Sequence, residues 1–168
     1  MNIFFQKKNK KESKFLTQSG FMMVEILVAI SIIVASILAA MSVAQKSISM
    51  SHQSVHISQA NFLLEEGAEA VRLTRDSSWS NISSLSESTQ YYPTFSNTWN
   101  LSTTPNSVGI FIRTVSIKNV NRDNTTGDIV NTGGTLDNGT KLITVNVSWN
   151  EGGNVLSKNL SFYLMDIF

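Results

Sequence analysis

Along the chain the spacing of apolar residues changes character twice. From Phe21 to Ala44 the side chains are almost all apolar, proline is absent, and the single formal charge is Glu25. As a helix this run reaches about 36 Å, enough to cross a hydrocarbon core of about 30 Å. Ser31, Ser36 and Ser42 are its later polar side chains. They are tolerated there because serine can bond back to its own helix carbonyls. A helix that is apolar all round has to be wrapped by protein or by lipid, and the rest of this chain is too polar and too short to wrap it.

The pattern then turns amphipathic. Met50, Ile57, Ala60, Leu64, Ala68 and Val71 recur at spacings of seven, three or four, and Ile48, Val55 and Phe62 make a second stripe beside them. Gly67 is the single glycine from Gln45 to Arg75, and proline is absent there too. One helix is therefore predicted from about Phe21 to about Arg75, near 80 Å long. Asp76 and the serines of "DSSWSNISS" end it.

Beyond residue 76 the period becomes two. Phe111, Val115 and Ile117 alternate through "GIFIRTVSIKNV", although Ile110 and Ile112 interrupt the polar side. In "KLITVNVSW", Ile143, Val145, Val147 and Trp149 take one face and Thr144, Asn146 and Ser148 the other. "NVLSKNLSFYLMDIF" places Leu156, Leu160, Phe162 and Leu164 together, and "NEGGN" before it is a turn signal. Residues 141–165 thus read as a hairpin, joined by a strand near 109–120 and a short one near Tyr91–Phe95. The polar, glycine-bearing "NRDNTTGDIVNTGGTLDNGT" reads as a long surface loop. One apolar sheet face needs a cover, and the amphipathic half of the helix is the available one. The predicted fold class is α+β. Its parts are a segment 1–20, an apolar helix half 21–44, an amphipathic half 45–75 and a sheet domain 76–168.

Charge adds orientation. The net charge is only +1, but Lys7, Lys8, Lys10, Lys11 and Lys14 stand before the apolar run against Glu12 alone. These lysines place the start of the run on the cytoplasmic side and the sheet domain outside. The remainder is mildly acidic and holds no basic patch, so nucleic acid is not expected as a direct partner. There is no cysteine, which removes thiol chemistry, zinc–thiolate sites and disulfides together.

The order Gly20, Phe21, three apolar residues (Met22, Met23, Val24), Glu25 and an apolar helix, after a short lysine-rich leader, resembles the start of type IV prepilins and the related pseudopilins of type II secretion. The motif covers residues 14–44. Beyond it the similarity is one of architecture, with "RTVSIKNV" and "ITVNVSWNEGG" similar to strands of V-type minor pilins and I-type pseudopilins. The resemblance implies a pilin fold, a long helix on a small antiparallel sheet. It implies leader cleavage between Gly20 and Phe21 by a prepilin peptidase that also methylates the new Phe21 amine. It implies that Glu25 neutralises that amine on a neighbouring subunit during assembly. An unpaired carboxylate in apolar surroundings costs roughly several kcal/mol, so a partner charge gives it a reason to persist. The alternative is a carboxylate held by the helix N-terminus and reaching for the headgroups. Implied partners are other pilin or pseudopilin subunits, the peptidase, an inner-membrane assembly platform, and lipid before assembly. The implied location is the cytoplasmic membrane as a single-pass protein, then a cell-surface or periplasmic filament. Many major pilins have proline where this chain has Ser42 and close a C-terminal loop with a disulfide; both departures favour a minor pilin, a pseudopilin or a lineage that never used the disulfide, and leave a major subunit open.

Other chemistry is sparse. His52 and His56 are one helical turn apart, but Gln53 stands where a zinc-protease motif needs glutamate and no third ligand is evident. A solvated helix face is the expectation for both. Asp123, Asp128 and Asp137 supply oxygen ligands for a conceivable calcium site in the polar loop, without matching a specific template. No other cofactor is expected. No Ser/His/Asp set or phosphate-cradling glycine loop is present, so an enzyme is not expected. The competing reading is a membrane-anchored or secreted binding domain, since "ILAAMSVAQ" offers a signal-peptidase site after Ala44.

Overall fold

The computed structural model describes the backbone of residues 13–167 and the side chains of residues 21–167. Helix α1 spans Ser13–Ser77, and a short α2 follows at Ser80–Ser83. The strands are β1 (Tyr92–Ser96), β2 (Thr98–Ser102), β3 (Ser107–Val108), β4 (Phe111–Arg122), β5 (Ile129–Val130), β6 (Thr135–Glu151) and β7 (Asn154–Met165). The architecture is α+β, as the change of period predicted. The chain divides into two units after Ser51, within α1 rather than at its end.

In the first unit every described side chain, from Phe21 to Ser51, is exposed. The serines of the apolar run satisfy themselves locally. Ser31, Ser36 and Ser42 donate their hydroxyls to the carbonyls of Leu27, Ile32 and Leu38 at 2.7, 2.8 and 3.0 Å. Each bond runs back four residues, so no polar group needs a partner from outside the helix.

In the second unit the last turns of α1 lie on an antiparallel sheet of order β3-β4-β6-β7, with β5 also pairing β4. Of the predicted stripe, Ala60, Leu64, Ala68 and Val71 are buried and Ile57 packs half-buried against the same core, while Met50 at its start is exposed. The second predicted stripe stays in solvent: Val55 and Phe62 are exposed. On the sheet side, Phe111, Val115 and Ile117 of β4 meet Trp149, Val145 and Ile143 of β6 as direct cross-strand pairs. All six are buried. The β4–β6 register shifts between Asn119 and Val120, and this bulge returns Val120 to the buried face three residues after Ile117, where strict alternation would turn it outward.

The β6–β7 hairpin closes through Gly152 and Gly153, at φ 60° and 84°, between the paired residues Glu151 and Asn154. Two consecutive positive φ values suit glycine at both positions, which is what "NEGGN" signalled. A smaller two-stranded sheet pairs β1 with β2, and Tyr91 before it exchanges both backbone hydrogen bonds with Val115 at 2.9 and 2.7 Å.

The expected surface loop at 121–140 is corrected. Asn121 and Arg122 pair with Val130 and Ile129 of β5, and Val120, Asn121 and Arg122 pair with Asp137, Leu136 and Thr135 at the start of β6. The segment is a polar extension of the sheet. It buries too little apolar surface to leave a period-two pattern in the sequence. The two-residue strands β3 and β5 are too short to show any period, and β2, whose Trp99 and Leu101 do alternate with polar residues, is a further strand that the sequence reading missed.

Helix and sheet approach closely at Gly67. A Cβ there would stand 2.7 Å from Val145 Cγ1 and 3.0 Å from Arg113 Cδ. Alanine in place of a helical glycine gains up to about 1 kcal/mol in propensity. Overpacking a tight core costs about 1–3 kcal/mol. Because Val145 is a fully buried β-branched residue on the central strand, the clash should win. Gly67→Ala is expected to lower the Tm of this unit, and Gly67→Val to lower it much further; thermal unfolding followed by circular dichroism checks both, and a higher Tm for Gly67→Ala would overturn the account.

Candidate functional site

The residues singled out by the prepilin-like motif lie at the start of the apolar helix. Gly20 lies outside the residues whose side chains are described, as does the lysine-rich segment before it. Phe21 is 79% exposed. Glu25 follows it by four residues and lies on the same helix face, where Phe21, Val24, Val28, Ala29 and Ile32 form a shallow apolar groove around it. Glu25 has no hydrogen-bond or ion-pair partner among the described residues. The result is a continuous, fully exposed apolar surface carrying one carboxylate. Among the described residues it is the one helix long and apolar enough to cross a membrane. Chemically it can do two things: sit in hydrocarbon, and offer a single acceptor of positive charge.

The other candidates fall in the second unit. His52 is exposed, as expected. His56 is not on a solvated face. It is half-buried, with its ring edge-on to Phe111 at 6.2 Å between centroids and its Nδ1 3.4 Å from Glu151 Oε2. The histidine is part of the helix–sheet seam, because its helical position carries it toward the end of β6.

Two of the three aspartates of the calcium expectation, Asp123 and Asp137, have other employment, and Asp128 is exposed. Asp123 Oδ1 accepts the backbone amides of Thr125 and Thr126 at 2.7 and 2.9 Å, closing a turn. These bonds, Thr126 first, hold its carboxyl below the usual carboxylate range. Asp137 accepts from Arg122 Nε at 2.6 Å and from the Gly139 amide at 2.8 Å. The Thr140 hydroxyl and then Arg122 lower its pKa. Arg122 also donates to the Gly127 carbonyl at 2.9 Å. A guanidinium thus serves the oxygens that a cation would need. Among the described residues no three His, Asp or Glu side chains converge on a common point. The donor set does not fit calcium.

One charged group was missed by the sequence reading. Arg113 projects into the buried face of β4 and is 5% exposed. Its Nη1 donates to Glu66 at 2.7 Å and to the Leu63 carbonyl at 3.4 Å, and its guanidinium lies 5.5 Å from the centre of the Trp99 ring. Its Nε is buried without a partner. The signal was available: Arg113 sits between Phe111 and Val115 in the same alternation. It links α1, β4 and β2, and it packs beside the helix at Gly67.

Comparison with protein-family models, with curated proteins and with solved structures finds no match to this chain.

Two outcomes follow from these contacts. Glu66→Ala strands a buried guanidinium and is expected to cost about 1–2 kcal/mol, reduced because Glu66 is half in water. Arg113→Met removes the charge at similar volume and is expected to cost less, since apolar replacement of a buried ion pair is often neutral. Urea unfolding of both variants checks the order. The second outcome concerns pH. A carboxylate with a lowered folded pKa contributes stability above its unfolded value, near 3.9, and loses it as pH falls through the folded value. Asp137→Asn should therefore destabilise the unit at neutral pH and flatten the loss of stability below about pH 4; unfolding curves from pH 7 to pH 2 would reveal an unchanged acid limb if Asp137 contributes nothing.

Proposed function

We propose that this chain is a structural, non-catalytic subunit of a type IV pilus or type II secretion pseudopilus, cleaved before Phe21 and assembled through its apolar helix. The observation that carries the reading is the uncovered apolar surface of residues 21–44 with one unpartnered carboxylate, Glu25, one helical turn beyond Phe21. A plain membrane anchor has no use for a charge at that place. Ionisable groups inside membrane helices default to function because their desolvation is costly. Cleavage after Gly20 would create a positive amine on Phe21. Glu25 of one subunit would then meet the Phe21 amine of the next as the helices leave lipid and pack together. The α+β domain joined to this helix supports the same reading.

Under this proposal the lysine-rich start is cytoplasmic, the sheet domain is outside, and the partners are other pilin or pseudopilin subunits, a prepilin peptidase and a membrane assembly platform. The absence of proline at Ser42 and of any cysteine supports a minor subunit over a major one.

The N-terminus of the mature protein tests the reading. Mass spectrometry is expected to find methylated Phe21, and Gly20→Val is expected to retain the leader. A mature start at Gln45 would mean an exported domain, and a start at Met1 a simple anchor. Glu25→Ala and Glu25→Gln are expected to leave expression, insertion and cleavage unchanged and to abolish recovery of the chain in sheared filaments. Wild-type recovery for both would reduce Glu25 to a helix-end carboxylate.

A further inference from the structure

The two edges of the main sheet are treated differently. The edge at β4 is covered piece by piece: β3 pairs with Phe111 and Ile112, Tyr91 bridges to Val115, and β5 pairs with Asn121 and Arg122. The edge at β7 is open. Its twelve residues, Asn154–Met165, pair with β6 on one side through an unbroken register and with no strand on the other among the described residues. Exposed edges are ordinarily guarded by proline, bulges, shortness or repeated charge, because their free N–H and C=O groups template further pairing. This strand has no proline, no bulge, and Lys158 as its one charge. Its side chains are also unsettled. Leu164 is buried, but Leu160 on the same face is 38% exposed, and Val155, Tyr163 and Met165 on the other face are exposed as well.

The sequence of β7 identifies its complement. Set antiparallel to a second copy about a two-fold axis at Leu160, it places Leu160 opposite Leu160, Leu164 opposite Leu156 and Met165 opposite Val155. Tyr163 meets Ser157, and Ser161 meets Asn159. Lys158 falls opposite Phe162, an aromatic ring already attended by the Arg72 guanidinium at 5.1 Å, and not opposite another lysine. Every large aliphatic residue of the strand thus meets another, on both faces, over eleven positions of each strand. Such a pairing is isologous and closes on itself, so it ends in a dimer and not in an open fibre.

We propose that β7 is a homotypic docking edge, through which two copies of this chain join their sheets by antiparallel β7–β7 pairing centred on Leu160. The new backbone ladder supplies affinity and the alternating side chains supply register. The inference is independent of the pilin reading, because an anchored domain of any other function would carry the same edge.

The absence of native cysteine makes the test direct. The full-length chain, purified in detergent, would carry Leu160→Cys or Val155→Cys. Directly opposed residues of antiparallel strands approach closely enough for a disulfide. By contrast, residue 155 of one copy lies about 34 Å along the strand from residue 155 of the other. Mild oxidation is expected to give a disulfide-linked dimer as the main product with Leu160→Cys and none with Val155→Cys. The double variant Val155→Cys/Met165→Cys should cross-link again. Leu160→Lys and Leu160→Glu, each placing like charges on the axis, should be monomeric by light scattering, and an equimolar mixture of the two should recover the dimer. That recovery separates loss of pairing from loss of folding. No dimer at position 160, equal cross-linking at 155 and 160, or charge variants that leave the dimer intact would each overturn the proposal.

Discussion

The close packing of α1 on β4 and β6 at Gly67 is the constraint on which the second unit depends. A helix can cover a sheet only as closely as its side chains allow, and here the contacting positions are kept small: Ala60, Gly67, Ala68 and Ala70 surround Leu64 and Val71. The small residues bring the helix down onto Val145, the middle of the central strand, and onto the aliphatic stem of Arg113. That approach excludes water from Val115, Ile143, Val145 and Val147, all 0% exposed. It also fixes where the charged head of Arg113 can go. With the stem pinned, the guanidinium reaches Glu66 and the face of Trp99, tying the small β1–β2 sheet to the main one.

The first unit obeys a different constraint. It has no protein partner for its apolar surface, and its hydroxyls are silenced by their own helix. Such a segment is stable only where its surroundings are apolar. Lipid meets that need, and so do equivalent helices packed side by side. Glu25 is compatible with both settings only when something balances its charge, which is why a single carboxylate carries so much of the functional reading.

Coverage of the sheet is uneven. Helix α1 accounts for the inner faces of β4 and β6, and only Leu164 of β7 is fully sheltered. The outermost strand is therefore apolar enough to belong to a core and exposed enough to need one. An edge in that condition is either a liability or a surface with a partner, and the piecewise protection of the opposite edge favours the second.

The amino-acid sequence by itself determined the elements whose apolar residues repeat. The unbroken run after Phe21, the 3.6-residue stripe through Ala60, Leu64, Ala68 and Val71, and the alternation Ile143, Val145, Val147, Trp149 each record a burial pattern that period alone reveals. The same holds for the glycine pair of the β6–β7 turn, since positive φ leaves a mark in residue type. The prepilin-like order from Gly20 to Glu25 was legible for another reason, as a string of neighbours that needs no folding to be read. Tertiary structure alone decided the rest. Strand β5, two residues long, is too short to show a period, the outer end of β6 is too polar to show one, and both exist because β4 offers them hydrogen bonds. The Asn119–Val120 bulge, the half-buried His56 and the pairing of Arg122 with Asp137 all depend on residues distant in the chain. So does the buried place of Arg113, whose charge argued for solvent until Glu66 and Trp99 were brought beside it. Periodicity reports which face of an element is covered; only the assembled chain determines how far the cover extends, and on β7 it stops short.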